Sequence, residues 1–309
     1  MSSKKALLFS GQGAQHVGMG RDLQEIPEIA ALYQKADQIL GFNFSQICFE
    51  GPVERLTDTD VCQPALYVHG YALLTLAQTA LPGFTFAATA GLSLGEYTAH
   101  AAAGTFDFET GLRLVHKRGS LMQEACKATE GGMITLLGAD DATAQAIAAE
   151  AGLDVANYNC PGQIVLSGAK AAIPAAQQIA KDKGVRRALP LNVAGAYHSR
   201  LMATAEAAMI PELAQAEIRT PQVPVPANFS GTPASDPAEI RTLLAKQVTG
   251  SVRWETCIRS LLASGITQFV EFGPGGVLAG LLKRIDPEAA CISISNLNEW
   301  KEKSHALAE

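Results

Sequence analysis

The chain has 309 residues, 48% of them hydrophobic, and a formal net charge of −6. That length and apolar content can bury a large core, in one large domain or two smaller ones. The acidic balance excludes nucleic acid as a main partner, since phosphate binding needs a basic surface. Six cysteines (Cys48, Cys62, Cys126, Cys160, Cys257 and Cys291) are scattered without a C-x-x-C pair, so free thiols in a reducing compartment are expected, with no disulfide framework and no metal site. The start, Met1-Ser-Ser-Lys-Lys5, leads into too short an apolar run for a secretory leader. No stretch reaches the roughly 20 apolar residues of a membrane span, and the longest, 68–84, is broken by His69, Gln78 and Pro82. A cytoplasmic protein without membrane contact is expected.

In chain order, Ala6–Ser10 reads as a buried strand and runs into the glycine loop Gly11-Gln-Gly-Ala-Gln15. Helical patterns fill much of Asp22–Leu81. A strand-like run, Phe84–Ala90, then feeds Gly91-Leu-Ser-Leu-Gly-Glu96, with a helix over 97–103 and a long one over Phe108–Lys127. Strands alternating with helices imply an α/β fold with a mostly parallel sheet. From Glu130 the rhythm changes. Met133–Leu137 reads as a strand, Asp141 caps a helix through Glu150, and Val155–Tyr158 and Gln163–Ser167 flank a Cys160-Pro-Gly162 turn as a hairpin. A helix over Ala171–Lys183 and a strand over Arg186–Val193 complete a βαββαβ order, the ferredoxin-like unit. Beyond it come a helix at Ala203–Gln215, a proline-rich loop, a further helix, a strand at Gln268–Phe272 and the loop Gly273-Pro-Gly-Gly276. The expected fold class is α/β: an α/β-hydrolase-like large domain with a mostly parallel sheet (1–128 and 196–309), carrying a small ferredoxin-like subdomain (129–195) inserted into it.

Strand, tight glycine turn and helix are the context in which G-x-S-x-G becomes a nucleophile elbow, exposing the Ser93 hydroxyl at a helix N-terminus. A serine needs a base at neutral pH, and histidine is the usual one. His100 follows Ser93 by two helical turns, about 10 Å at 1.5 Å per residue, which is out of reach. His69 and His116 fall in helical patterns and read as half-buried or surface residues. His305 lies in a charged tail, while His16 follows a glycine loop and stays open. His198, in Gly195-Ala-Tyr-His-Ser-Arg200, lies where the small unit rejoins the large one, and such junctions form clefts. Arg118 shares the apolar stripe of its helix with Leu114, Leu121 and Met122, opposite Arg113, Lys117, Ser120 and Glu124. A guanidinium turned inward must be paired. Either an internal Asp or Glu holds it, or it waits as a bidentate clamp for a substrate carboxylate.

Six segments in order carry a family resemblance: Phe9-Ser-Gly-Gln-Gly-Ala-Gln15, Gly91-Leu-Ser-Leu-Gly-Glu-Tyr97, Lys117-Arg-Gly119 with Met122-Gln-Glu124, Asn157-Tyr-Asn-Cys-Pro-Gly-Gln163, Gly195-Ala-Tyr-His-Ser-Arg-Leu-Met202 and Glu271-Phe-Gly-Pro-Gly-Gly-Val-Leu278. From near residue 6 to about 295 the chain resembles malonyl-CoA:acyl-carrier-protein transacylases. The resemblance implies Ser93 as the acylated nucleophile, His198 as its base and Arg118 as the ligand of the malonyl carboxylate. It further implies an oxyanion hole from the backbone N–H groups of Gln12 and Leu94, a backbone carbonyl at Gln247 that orients the histidine, and a substrate contact at Asn159. No cofactor is implied. Malonyl-CoA would be the donor and a phosphopantetheinylated acyl carrier protein the acceptor, for fatty-acid or polyketide synthesis, with the enzyme a monomer. The chain departs from the family at Leu92, where histidine is usual before the nucleophile. Tyr197 stands where phenylalanine is common in a pattern associated with malonyl selection.

An acidic enzyme meeting an acidic carrier protein needs a local basic surface, for which Lys181, Lys183, Arg186, Arg187, Lys283 and Arg284 are the candidates. Three other readings stay open. A Ser-His-Asp hydrolase of the α/β-hydrolase type would normally carry its histidine later in the chain. An acyl-thioester hydrolase on this same fold would not need a carboxylate clamp. A catalytically inactive docking subunit of a synthase complex would not need Ser93, His198 and Arg118 together.

Overall fold

The structure, a computed structural model, describes residues 4–307. Its strands are β1 (Lys5–Phe9), β2 (Ala88–Gly91), β3 (Gly131–Leu137), β4 (Asp154–Cys160), β5 (Gln163–Ala169), β6 (Arg187–Pro190), β7 (Gln268–Phe272) and β8 (Ala290–Ile294). They form two four-stranded sheets, ordered β2-β1-β7-β8 and β4-β5-β3-β6. The first is parallel at every pairing, and β1 is buried along its length after Lys5, as a strand covered on both faces must be. The second is antiparallel throughout, with the βαββαβ connectivity and strand order of a ferredoxin-like unit.

Helices α1 (Pro27–Leu40), α2 (Phe44–Glu50), α3 (Val53–Thr57) and α4 (Thr59–Ala80) fill the first long connection. Then come α5 (Gly95–Ala102) and α6 (Phe108–Ala128), with α7 (Asp141–Ala151) and α8 (Ile173–Asp182) on the small sheet. The rest are α9 (Ala203–Gln215), α10 (Pro237–Lys246), α11 (Trp254–Ala263), α12 (Val277–Ile285) and α13 (Leu297–Lys303). Among the described residues no helix is long and apolar enough to cross a membrane.

Several local expectations need correction. The strand before the elbow is only β2, because pairing with β1 begins at Ala6 opposite Ala88. Phe84 and Phe86 have no strand partner, and their rings pack 6.3 Å apart instead. Asp140, not Asp141, caps α7, its side chain accepting from Thr143 N at 2.8 Å, since the cap is the extended residue before the first helical one. A 3-10 turn occupies Lys170–Ala172 before α8, and β6 runs only over Arg187–Pro190, with one further bond from Leu191 N to Met133 O at 2.9 Å. His69 is fully buried, not half-exposed, because α4 runs through the core. Its Nε2 lies 2.9 Å from the Ser295 carbonyl, and burial pushes it down to about 4, which keeps it neutral. All six cysteines are unpaired.

Two joins position the cleft between the sheets. The 250–253 segment bonds to β4, with Tyr158 N to Val252 O at 2.9 Å and Val252 N to Ala156 O at 2.8 Å. At the other side Arg200, two residues after His198, grips Asp154 at the start of β4 through its Nη2 at 2.6 Å. At the far wall the buried carboxylate of Glu271 caps α12, accepting from Leu278 N at 2.9 Å and Ala279 N at 3.0 Å.

Candidate active site

The elbow is built on contacts too close for any side chain. A Cβ at Gly91 would lie 1.9 Å from the Gly95 carbonyl oxygen, and one at Gly95 would lie 2.2 Å from that of Phe9. The turn puts Ser93 at φ 56°, and His198 takes the same value. Among the described residues these are the two non-glycine positions with positive φ. Such conformations cost on the order of 1–3 kcal/mol each and persist only where the surroundings over-determine them. Here both residues face each other across one hydrogen bond: Ser93 Oγ lies 2.8 Å from His198 Nε2.

His198 Nδ1 lies 2.8 Å from the Gln247 backbone carbonyl at the end of α10. A carbonyl only accepts, so Nδ1 carries the proton and Nε2 is free to take one from the serine. The carbonyl thus stands where a hydrolase triad would have its aspartate. Burial, and then the nearby positive charge of Arg118, pull His198 down to about 4 against the opposing pull of the Gln247 and Gly250 carbonyls. At neutral pH the imidazole is therefore uncharged, with its proton on Nδ1 and Nε2 bare toward Ser93.

Arg118 is fully buried on α6. The helix comes close enough because a Cβ at Gly119 would lie 2.5 Å from the Thr59 carbonyl oxygen at the start of α4. The guanidinium has neither the internal carboxylate partner nor the idle fork that the sequence left open. Nη1 donates to Gln63 Oε1 at 2.6 Å. Nη2 donates to Ser93 Oγ at 2.9 Å and to Gln247 Oε1 at 2.8 Å. Its Nε has no acceptor.

Ser93 is held from both sides. Asn228 Oδ1 accepts from its N–H at 2.6 Å, and Gln247 Nε2 donates to its carbonyl at 2.9 Å. Asn228 Nδ2 also donates to Gly91 O at 2.8 Å. Both amide residues meet the buried Glu96, whose Oε2 accepts from Gln247 Nε2 at 2.6 Å and Asn228 N at 2.9 Å. Leu94 is the N-cap residue of α5, and Gln12 follows β1. Neither backbone N–H has an acceptor among the described residues, and both residues line the cleft beside Ser93.

That cleft measures about 330 Å³ and is closed by the small sheet, with Asn157, Asn159 and Leu191 on that side. Asn159 Oδ1 is buried without a hydrogen-bond partner. Tyr197 OH bonds Thr59 Oγ1 at 2.7 Å, and Leu92 is another wall of the cleft. The remaining histidines lie elsewhere. His100 Nδ1 is 3.0 Å from Thr105 Oγ1, His116 is half-buried beside Phe42, and His16 and His305 are exposed. Among the described residues no group of three or more His, Cys, Asp or Glu is placed to hold a metal ion.

Sequence reasoning did not assign Gln63, Glu96, Asn228 or the Gln247 side chain. Gln63 had a signal, an amide within the apolar run of α4. Glu96 closes the elbow motif itself. Asn228 sits in the proline-rich loop, where no periodicity points inward.

Residues 6–292 match the family described as acyl transferase domain. The chain belongs to that family. It is 40% identical over 300 residues to the malonyl CoA-acyl carrier protein transacylase of Bacillus subtilis strain 168, covering 95% of this chain and 94% of that one. Among solved structures, a malonyl-CoA:acyl carrier protein transacylase from Xanthomonas oryzae superposes with a TM-score of 0.95 at 37% identity, covering 100% of both chains. A malonyl-transacylase solved in complex with its type II polyketide acyl-carrier protein matches with a TM-score of 0.94 at 33% identity, over 98% of this chain and 100% of that one.

Proposed function

We propose that this acyltransferase moves a malonyl group from malonyl-CoA to the phosphopantetheine thiol of an acyl carrier protein, through a malonyl ester on Ser93. The observation that carries the reading is a fully buried guanidinium bonded to the serine hydroxyl itself. A cation so placed selects an acyl group that brings its own carboxylate, because leaving that charge unmet is costly. The names of the relatives agree with it.

In the first half-reaction Ser93 Oγ attacks the thioester carbonyl as His198 Nε2 takes its proton. The negative charge on the former carbonyl oxygen is met by the N–H groups of Gln12 and Leu94, the latter at a helix N-terminus. Arg118 Nη2 exchanges Ser93 Oγ for the malonyl carboxylate, and Gln63 and Gln247 keep the guanidinium in place. Collapse breaks the C–S bond, and the coenzyme A sulfur leaves with the proton from His198. The carrier thiol then gives its proton to His198, attacks the ester, and regenerates Ser93 by the same steps in reverse. Asn159 contributes a polar contact from the small-sheet wall.

We further propose the division into a catalytic unit (1–128 and 196–309) and an inserted unit (129–195), a cytoplasmic location and a monomer. The basic landing surface narrows to Lys181, Arg186 and Arg187. Lys183 pairs with Glu150 at 3.1 Å, Lys283 bonds Pro287 O at 2.7 Å, and Arg284 is spent on Gln163 and Pro161 of the hairpin. The direct test is to incubate the enzyme with malonyl-CoA and a phosphopantetheinylated carrier protein and to weigh the carrier. Malonyl-carrier, with parallel double-reciprocal plots, is the expected outcome. Malonate release without malonyl-carrier would make the protein a hydrolase.

A further inference from the structure

Glu96 is a wholly buried carboxyl that the reaction above does not use. It is the acid of the Arg118 network, yet it does not touch Arg118. The amide of Gln247 stands between them, accepting from Arg118 Nη2 at 2.8 Å and donating to Glu96 Oε2 at 2.6 Å. Resting on the malonyl reading, we propose that Glu96 is a positioning residue that sets how strongly the site holds a carboxylate-bearing acyl group, acting through Gln247 and Arg118.

The physical argument turns on spacing. A carboxylate in direct contact would occupy the guanidinium fork and turn away an anionic acyl group. With no acid nearby, a buried cation would lack a counter-charge and would grip any carboxylate so tightly that turnover suffers. One intervening amide gives a middle course. Arg118 is partly neutralised at rest, while its Nη2 bond to Ser93 Oγ stays exchangeable. When a malonyl carboxylate arrives, two anions share one buried cation, and Glu96 weakens the hold. An acetyl donor brings no anion and does not feel this repulsion.

The groups facing Glu96 leave few other sources of charge. Tyr97 and His100 come from α5, Arg118 from α6 and Cys257 from α11, and His198 joins through Gln247. Burial raises Tyr97 and Cys257, which stay protonated, and lowers His100 to about 3 and His198 to about 4, which stay neutral. Arg118 is thus the charge that Glu96 meets. Burial also raises Glu96 to about 7, against the lowering pull of Asn228, Gln247 and Arg118, so its charge appears as pH rises through neutrality.

The geometry supplies a clean variant. Both accepted bonds fall on Oε2, and Oε1 has no partner. Glu96→Gln can keep its oxygen at the Oε2 position, preserve both bonds and remove the charge. We would measure kcat/KM for Ser93 acylation with malonyl-CoA and acetyl-CoA, from well below to well above neutral pH, for wild type and Glu96→Gln. The malonyl:acetyl ratio of the wild type should fall as pH rises through neutrality. In Glu96→Gln it should stay high, on the order of tenfold above wild type at alkaline pH, with the change in KM for malonyl-CoA. Equal losses for both donors in the variant, or a wild-type ratio flat with pH, would overturn the proposal. The wild-type pH series decides even if the variant fails to fold. Failure of the wild type to take malonyl-CoA at all would instead overturn the malonyl reading, and this inference with it.

Discussion

The two sides of the cleft are built in opposite ways. On the parallel-sheet side, Ser93, His198, Arg118, Gln247, Glu96 and Asn228 lock one another through short hydrogen bonds. Two of them are held in strained backbone conformations. On the small-sheet side, Asn159 keeps an unpaired buried oxygen and Leu191 is 39% exposed. The first side is largely preorganised, with the Arg118–Ser93 bond the contact that the proposed reaction exchanges. Substitutions should therefore cost most at the elbow and least on the small unit.

The largest of these effects is expected at Arg118. Arg118→Ala should lower malonyl transfer roughly 10²–10³-fold, the scale of an unpaired charge-assisted contact, and acetyl transfer far less. Equal losses measured with the two donors would dissolve the distinction, because Arg118 would then serve structure alone. The pH dependence comes next. Since His198 acts as a neutral base and lies at about 4, its contribution is lost only as pH falls through that value. Acylation rates at saturating donor, in brief pH-jump mixing, should stay level well below the ordinary histidine range. A decline centred near 6.5, the usual imidazole value, would mean that the site is wetter than its burial indicates.

On the other wall, Asn159→Ala should cost only about fivefold, one hydrogen bond to a neutral partner being worth about 1 kcal/mol. Steady-state kinetics with malonyl-CoA would read this, and a loss equal to that of Arg118→Ala would erase the asymmetry. Smallest is reversal of the exposed Arg186 and Arg187 to Glu. This should raise KM for the carrier protein a few-fold at low salt, less at high salt, and leave self-acylation by malonyl-CoA untouched. A carrier KM unchanged at low salt would remove that surface from the account.

Much of this was legible because the signals were local. The glycines of the elbow are dictated by backbone contacts shorter than a side chain allows, so the motif in its strand–turn–helix context pointed to Ser93. Arg118 was betrayed by its place on an apolar stripe. Both the βαββαβ order and the α9 and β7 boundaries follow from short-range periodicity. What the sequence hid is what depends on long-range juxtaposition. Asn228 reaches Ser93 from a loop with no pattern, and Gln247 serves with both its carbonyl and its side chain. Glu96 was visible within the motif, but its partners come from two segments more than a hundred residues away. Likewise, the full burial of His69 follows from how helices wrap α4, which no single window reports.

The central claim is that the buried elbow forms a malonyl ester on Ser93 and selects for a carboxylate. Intact-protein mass after brief mixing with malonyl-CoA, beside acetyl-CoA and a Ser93→Ala control, tests it most directly. The account predicts a single malonyl adduct on the wild type, scarce with acetyl-CoA and absent from the variant. An adduct that persists in Ser93→Ala, or equal labelling by the two donors, would contradict it.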